Sequence, residues 1–145
     1  MSNAQGDLLD PKTKTVLIVD DDEAILNLLE ILVQRDGFKV LRAESAEAAV
    51  FKLRRKPDAV LLDLILPGTK TGVDVLRMMR EGGDPMPVVI VITAHDAKHP
   101  AFMEAKKDPN VSHFLSKPIN QDELLVLLHR LLKTQPPKGS AADVA

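Results

Sequence analysis

A doubly wound α/β sandwich, with five parallel strands and helices on both faces, is the fold this sequence predicts. Three observations carry the prediction. Short apolar runs rich in β-branched residues recur without polar alternation, the mark of strands buried on both faces. Between them the apolar residues switch to helical spacing. Strand and helix alternate along the chain, and that alternation demands parallel pairing through right-handed crossovers.

Thr15–Val19 is the first such strand. From Asp22 to Asp36 the period changes: Ile25, Leu28, Leu29, Leu32 and Val33 form a helical stripe, and Gly37 follows as its C-cap. Lys39–Ala43 is a second strand. Ser45 is placed to cap a helix whose inner face is Ala46, Ala49, Val50 and Leu53, ended by Pro57. Ala59–Leu62 is the third strand and runs into a loop marked by Pro67 and Gly68. Gly72–Arg80 is helical and closes at Gly82-Gly83. Pro87–Ile92 is the fourth strand. A weak helix is expected over Ala97–Lys106, unsettled by Pro100 within it. Val111–Leu115 is the fifth strand, and Asn120 with Glu123 resembles a capping box for a last helix with Leu124, Leu128 and Leu131 along its seam.

The chain has 145 residues, 45% hydrophobic and 28% charged, which suits one domain with a sizeable core. Ser2-Asn3-Ala4 reads as a cloning remnant, so residues 1–13 are expected to be a disordered segment, 14–133 the domain, and 134–145 a linker or tail. A net charge of −2 gives no basic field for nucleic acid, and the only aromatics are four Phe, too few for a base-stacking platform. Without Cys there are no disulfides or thiolate metal sites. No apolar stretch approaches a membrane span, and a soluble, cytoplasmic protein is the expectation.

In a doubly wound fold the chemistry gathers beyond the C-terminal ends of the strands. There the sequence offers Asp20, Asp21 and Asp22 after the first strand, Asp63 after the third, Thr93 after the fourth and Lys117 after the fifth. Crowded carboxylates repel unless a cation joins them, and clustered hard oxygens suit Mg²⁺. A hydroxyl and an ammonium are not needed for such a metal. They are what a bound phosphoryl group needs, as hydrogen-bond donor and point charge. Asp22 stands apart from this set, since its position favours capping the helix that follows.

The runs Val16-Leu-Ile-Val-Asp-Asp-Asp22, Leu61-Leu-Asp-Leu-Ile-Leu-Pro-Gly68 with Gly72, Ile92-Thr-Ala94 and Phe114-Leu-Ser-Lys-Pro118 together resemble the receiver family of two-component response regulators. The resemblance covers about Lys14 to Lys133 and implies a flavodoxin-like strand order 2-1-3-4-5. It implies that Asp63 accepts the phosphoryl group, and that Asp20, Asp21, Asp63 and the backbone carbonyl of Ile65 hold Mg²⁺. It further implies that Thr93 and Phe114 form the switch, that Lys117 contacts the phosphoryl group, and that the Lys117–Pro118 peptide is one often cis in the family. The implied partner is a histidine kinase or phosphotransfer protein, with a homodimer through the last helix and fifth strand as a further option. Catalysis would extend only to the domain's own phosphorylation and dephosphorylation. Two departures stand out: Phe114 replaces the commoner Tyr, and Lys107–Val111 replaces a small-residue stretch before the fifth strand.

Two other functions compete. A Mg²⁺-dependent phosphatase of the haloacid-dehalogenase type also begins with an apolar strand ending in Asp-x-Asp, here Asp20 and Asp22, but leaves Asp63 without a role. A degenerate receiver would serve only as a docking module, yet none of the phosphorylation residues is missing. His95 and His99 share an i, i+4 spacing but lack a third metal ligand, and His113 and His129 stand alone. Lys52, Arg54, Arg55 and Lys56 read as a solvated helix end, and Leu125 and Leu132 as core residues flanking the last helix's seam, with a partner-binding face as the alternative.

Overall fold

The computed structural model describes residues 7–83, 85–94 and 99–143. In chain order the elements are β1 (Thr15–Val19), α1 (Glu23–Arg35), β2 (Lys39–Ala43), α2 (Ala46–Lys52), β3 (Ala59–Leu62), α3 (Gly72–Glu81), β4 (Val88–Thr93), α4 (Pro100–Lys106), β5 (His113–Ser116) and α5 (Gln121–Leu132). The strands form one parallel sheet in the order β2-β1-β3-β4-β5.

Successive strand residues feed opposite faces of that sheet. Val16, Ile18, Leu61, Ile90 and Ile92 pack against Leu26, Leu29 and Val33 of α1 and Leu124 and Leu128 of α5. Leu17, Val19, Val60, Leu62 and Val91 pack against Ala46 and Ala49 of α2, Val75 and Leu76 of α3, and Ala105 of α4. Leu125 and Leu132 are buried within the monomer. In α1 the buried stripe is Leu26, Leu29, Leu32 and Val33, while Leu28 is 40% exposed. So many aliphatic residues occupy this helix that more than one stripe fits the period. The side chain at 26 wins because it points at the sheet.

The region around α4 departs from expectation in an instructive way. Pro100 does not break the helix; it starts it, since the first helical turn needs no N–H from that position. His99 is the N-cap, its Nδ1 accepting from the Ala101 N–H at 3.1 Å, which gives this histidine a structural job. His95, its suggested i, i+4 companion, lies outside the described residues, as does the expected helix start at Ala97. Lys107–Val111 is ordered by Asp108, which is buried, caps the Asn110 N–H at 2.8 Å and receives Arg80 of α3 at 2.8 Å.

Two segments left outside the core by the sequence make contacts with it. Asp10 caps a 3-10 turn over Pro11–Thr13, and Pro11 is buried. Leu9 bridges Thr134 in parallel, with hydrogen bonds to the Lys133 carbonyl and from the Gln135 N–H. Beneath this clasp His129 is 4% exposed. Its Nδ1 lies 2.7 Å from Thr134 Oγ1 and its Nε2 3.0 Å from Asp36 Oδ2, which also accepts from Ser140 Oγ at 2.6 Å. The tail is tied down through side-chain partners 93 and 104 residues distant from one another in sequence, which no local pattern could reveal.

Candidate functional site

Sheet register builds the site. Val19 lies beside Leu62 across the β1–β3 pair, so Asp20 and Asp63 leave the sheet side by side. Thr93 lies beside Ser116 across β4–β5, which delivers Lys117 one residue later to the same rim. Backbone bonds fix the exits: the Asp63 N–H donates to the Val19 carbonyl at 3.0 Å and the Lys117 N–H to the Thr93 carbonyl at 3.1 Å. The Lys117–Pro118 peptide is cis.

Lys117 Nζ stands between two carboxylates, 2.7 Å from Asp20 Oδ2 and 2.9 Å from Asp63 Oδ2. The other Asp63 oxygen, Oδ1, accepts from the Ile65 N–H at 3.0 Å, and Asp20 Oδ1 from the Asp22 N–H at 2.9 Å. Thr93 is buried at the floor of the rim, and Asp21 is exposed at its edge. Asp20, Asp21 and Asp63 each bring an oxygen within 4.8 Å of the others. Phe114 is half-buried on β5, its ring edge-on to Phe102 of α4 at 5.3 Å.

Electrostatics follow from this crowding. Burial pushes the Asp63 carboxyl above its ordinary value, with help from the Asp20 charge, against the pull of the Ile65 N–H and of Lys117. For Lys117 burial works the other way, but hydrogen bonds and charges from both carboxylates outweigh it and hold the ammonium above the usual lysine value. The two partners differ because Lys117 faces two anions, whereas Asp63 faces one cation and another anion. Three carboxylates against one ammonium leave an excess of negative charge that a hard divalent cation would neutralise. The donor set is all oxygen, as such a cation requires, so the residues fit it.

Asp22 is not among the converging groups. It caps α1, accepting from the Ala24 N–H at 2.9 Å and the Ile25 N–H at 3.3 Å. An Asp20–Asp22 catalytic pair is therefore absent, while Asp63 sits at the centre. Gly72, one of the residues that carry the resemblance, has a packing role that the sequence does not reveal. A Cβ on Gly72 would lie 2.3 Å from the Asp63 carbonyl oxygen and 2.6 Å from Leu64 Cα. Only glycine lets α3 begin directly beneath the Asp63 loop; the signal available was a glycine at the first helical position after a Pro-Gly loop.

The family model described as "Response regulator receiver domain" matches residues 16–129 of this chain. The chain belongs to the response-regulator receiver family. It is 34% identical over 131 residues to response regulator MprA of Mycobacterium leprae, an alignment covering 90% of this chain and 56% of that protein. The chain thus spans about half the length of the curated relatives it matches. Among solved structures, a receiver domain described as CheY-like from Methanospirillum hungatei superposes with a TM-score of 0.73 at 25% identity, over 82% of this chain and 93% of that one. A signal receiver domain from Vibrio parahaemolyticus, of a protein assigned as a Luxo repressor, gives 0.71 at 30% identity, over 83% and 90%. The receiver carries the 2-1-3-4-5 order that the resemblance implied. It is a signalling domain of the two-component type, and nothing among these relatives supports a haloacid-dehalogenase phosphatase. No helix of the described residues is long and apolar enough to cross a membrane.

Proposed function

We propose that this receiver takes a phosphoryl group onto Asp63 from a histidine kinase or phosphotransfer protein in the cytoplasm, and that Asp20, Asp21, Asp63 and the Ile65 carbonyl hold Mg²⁺ for that reaction. The observation that carries the proposal is Lys117 bridging Asp20 and Asp63 at the rim of the sheet. An Asp63 oxygen attacks phosphorus, the new P–O bond forms as the donor's bond to phosphorus breaks, and the donor leaves with that electron pair. Both Asp63 oxygens already accept one hydrogen bond, yet each keeps a second lone pair for attack. The Ile65 N–H and Lys117 orient the carboxylate, and Lys117 offsets charge on the incoming phosphoryl oxygens. A bound Mg²⁺ would neutralise the nucleophile and its target together. Incubation with acetyl phosphate and Mg²⁺ should raise the intact mass by one phosphoryl group, and Asp63→Asn should abolish the rise. Full modification of that variant would place the acceptor elsewhere.

Signalling then rests on Thr93 and Phe114. Thr93 donates its hydroxyl to a phosphoryl oxygen, and the space it vacates takes the Phe114 ring, which must leave its edge-on contact with Phe102. Phe114 has no hydroxyl, so its two positions differ in packing alone. Amide shifts across Val111 to Leu132 should move on phosphorylation together with those around Asp63; movement confined to Asp63 would refute the switch. A homodimer through α5 and β5 would lack the leucines the sequence offers it, since Leu125 and Leu132 are already buried within one chain. The kinase or phosphotransfer protein is the partner the site itself requires.

A further inference from the structure

At the end of the sheet opposite Asp63, α2 and α3 part around a cavity of about 460 Å³. That lies within the range of small-molecule sites, about 300–1,000 Å³. Met78, Met79 and Met86 line it, and unbranched thioether side chains adapt to the shape of an apolar occupant. Three of the other lining residues are prolines, which bring no backbone N–H to the wall.

Among the described lining residues, charge at the cavity has one sign to offer. Asp58 is the only carboxylate among the described lining residues, and both of its oxygens are occupied: Oδ2 accepts from the Thr15 N–H at 2.8 Å, and Oδ1 lies 3.8 Å from Lys14 Nζ. Arg54 lines the cavity and forms no ion pair with a described residue. Its guanidinium lies 5.4 Å from the centre of the Phe51 ring, which orients it without neutralising it. The sequence alone reads this basic run as a solvated helix end; the cavity beside it gives Arg54 something to face.

We propose that this cavity binds a small amphiphilic monoanion, an alkyl or aryl carboxylate, with its apolar body among the methionines and its carboxylate on Arg54. A small molecule suits this half-open cleft, whose volume lies in the small-molecule range and whose apolar wall is bounded by the cation of Arg54, a match for one carboxylate. Phe51, the large exposed ring nearby, carries the Arg54 guanidinium over one face and is not part of the cleft's lining.

The methionines supply the readout. In the full chain with methyl-labelled methionine, decanoate should shift the Met78, Met79 and Met86 methyls saturably below about 1 mM. Met103, exposed on α4 away from the cavity, should stay still. Decyltrimethylammonium, equally apolar but cationic, should bind roughly tenfold more weakly, and Arg54→Gln should weaken decanoate binding by roughly three- to tenfold. Phosphorylation of Asp63 in Arg54→Gln should match the parent, so a failure here is separable from a failure of the acceptor assignment. Equal response to both amphiphiles, movement of Met103 alongside the others, or no saturable shift would each overturn the proposal. So would tighter occupation of the same methyls by an acidic amphipathic peptide, which would assign the cavity to a protein partner.

Discussion

Lys117→Met should unfold more readily than the parent at neutral pH, by about 2–4 kcal/mol in urea melts, and should lose most of its phosphorylation by acetyl phosphate. The substitution keeps most of the apolar stem and removes only the cation. Asp20 and Asp63, 3% and 6% exposed, are then left buried beside one another with no counter-charge. Asp63 already stands above its ordinary value through burial, and without Lys117 it must rise further. A carboxyl raised in the folded state favours folding in its protonated form. The deficit of the variant should therefore be small below the ordinary aspartate range, grow as pH rises through the folded value, and be complete above it. In the parent, Lys117 has the opposite limb: its stabilisation is full below the ordinary lysine value and is lost as pH rises past the elevated one. Added Mg²⁺ should recover part of the variant's stability, because a cation bound only by the folded site shifts the equilibrium toward it. A variant that is pH-independent relative to the parent would show that Asp20 and Asp63 are better hydrated than their burial indicates. Absence of any Mg²⁺ effect on either protein would remove the metal from the proposed function.

What sequence could and could not reveal divides along physical lines. The β-branched runs and the Asp, Thr and Lys that follow them are local signals, and parallel pairing carries local signals to one rim without further information. That is why Asp20, Asp63, Thr93 and Lys117 were legible from the sequence alone. The phase of α1 was not, because Leu26 and Leu28 are chemically alike and only the position of the sheet decides which is buried. Pro100 departs from expectation for a different reason: a proline breaks the interior of a helix but suits its first turn, and the sequence alone does not say on which side of the helix start it falls. The Asp36–His129–Thr134–Ser140 network joins groups scattered along the chain and leaves no periodic trace.

Gly72 is legible as a motif residue and a helix start but not as a close-packing position, and replacing it should cost more than its size suggests. Gly72→Ala places a methyl group 2.3 Å from the Asp63 carbonyl oxygen, 2.6 Å from Leu64 Cα and 3.1 Å from the Asp63 carbonyl carbon, all of them backbone atoms that no rotamer change can clear. Nor can Gly72 retreat freely. Its N–H donates to the Leu64 carbonyl at 2.9 Å, and the turn around it is held by the Asp74 carboxylate on the Thr71 N–H at 2.7 Å. Relief must come from the Asp63 loop, so stability and phosphorylation should fall together: about 2–4 kcal/mol in the first, as for overpacking against rigid neighbours. In the second, a displacement of the nucleophile by about 1 Å is worth on the order of a hundredfold in rate. Gly68→Ala is the matched control. Gly68 adopts φ +92 with nothing near its would-be Cβ, so alanine there meets backbone strain alone, about 1–2 kcal/mol. It should leave the phosphorylation rate within a few-fold of the parent, because it lies at the exposed tip of the loop and not beneath the acceptor. Urea melts and single-turnover phosphorylation of both variants decide the matter. If Gly72→Ala behaves like Gly68→Ala in both measurements, the loop gives way without moving Asp63, and the glycine serves the start of α3 alone.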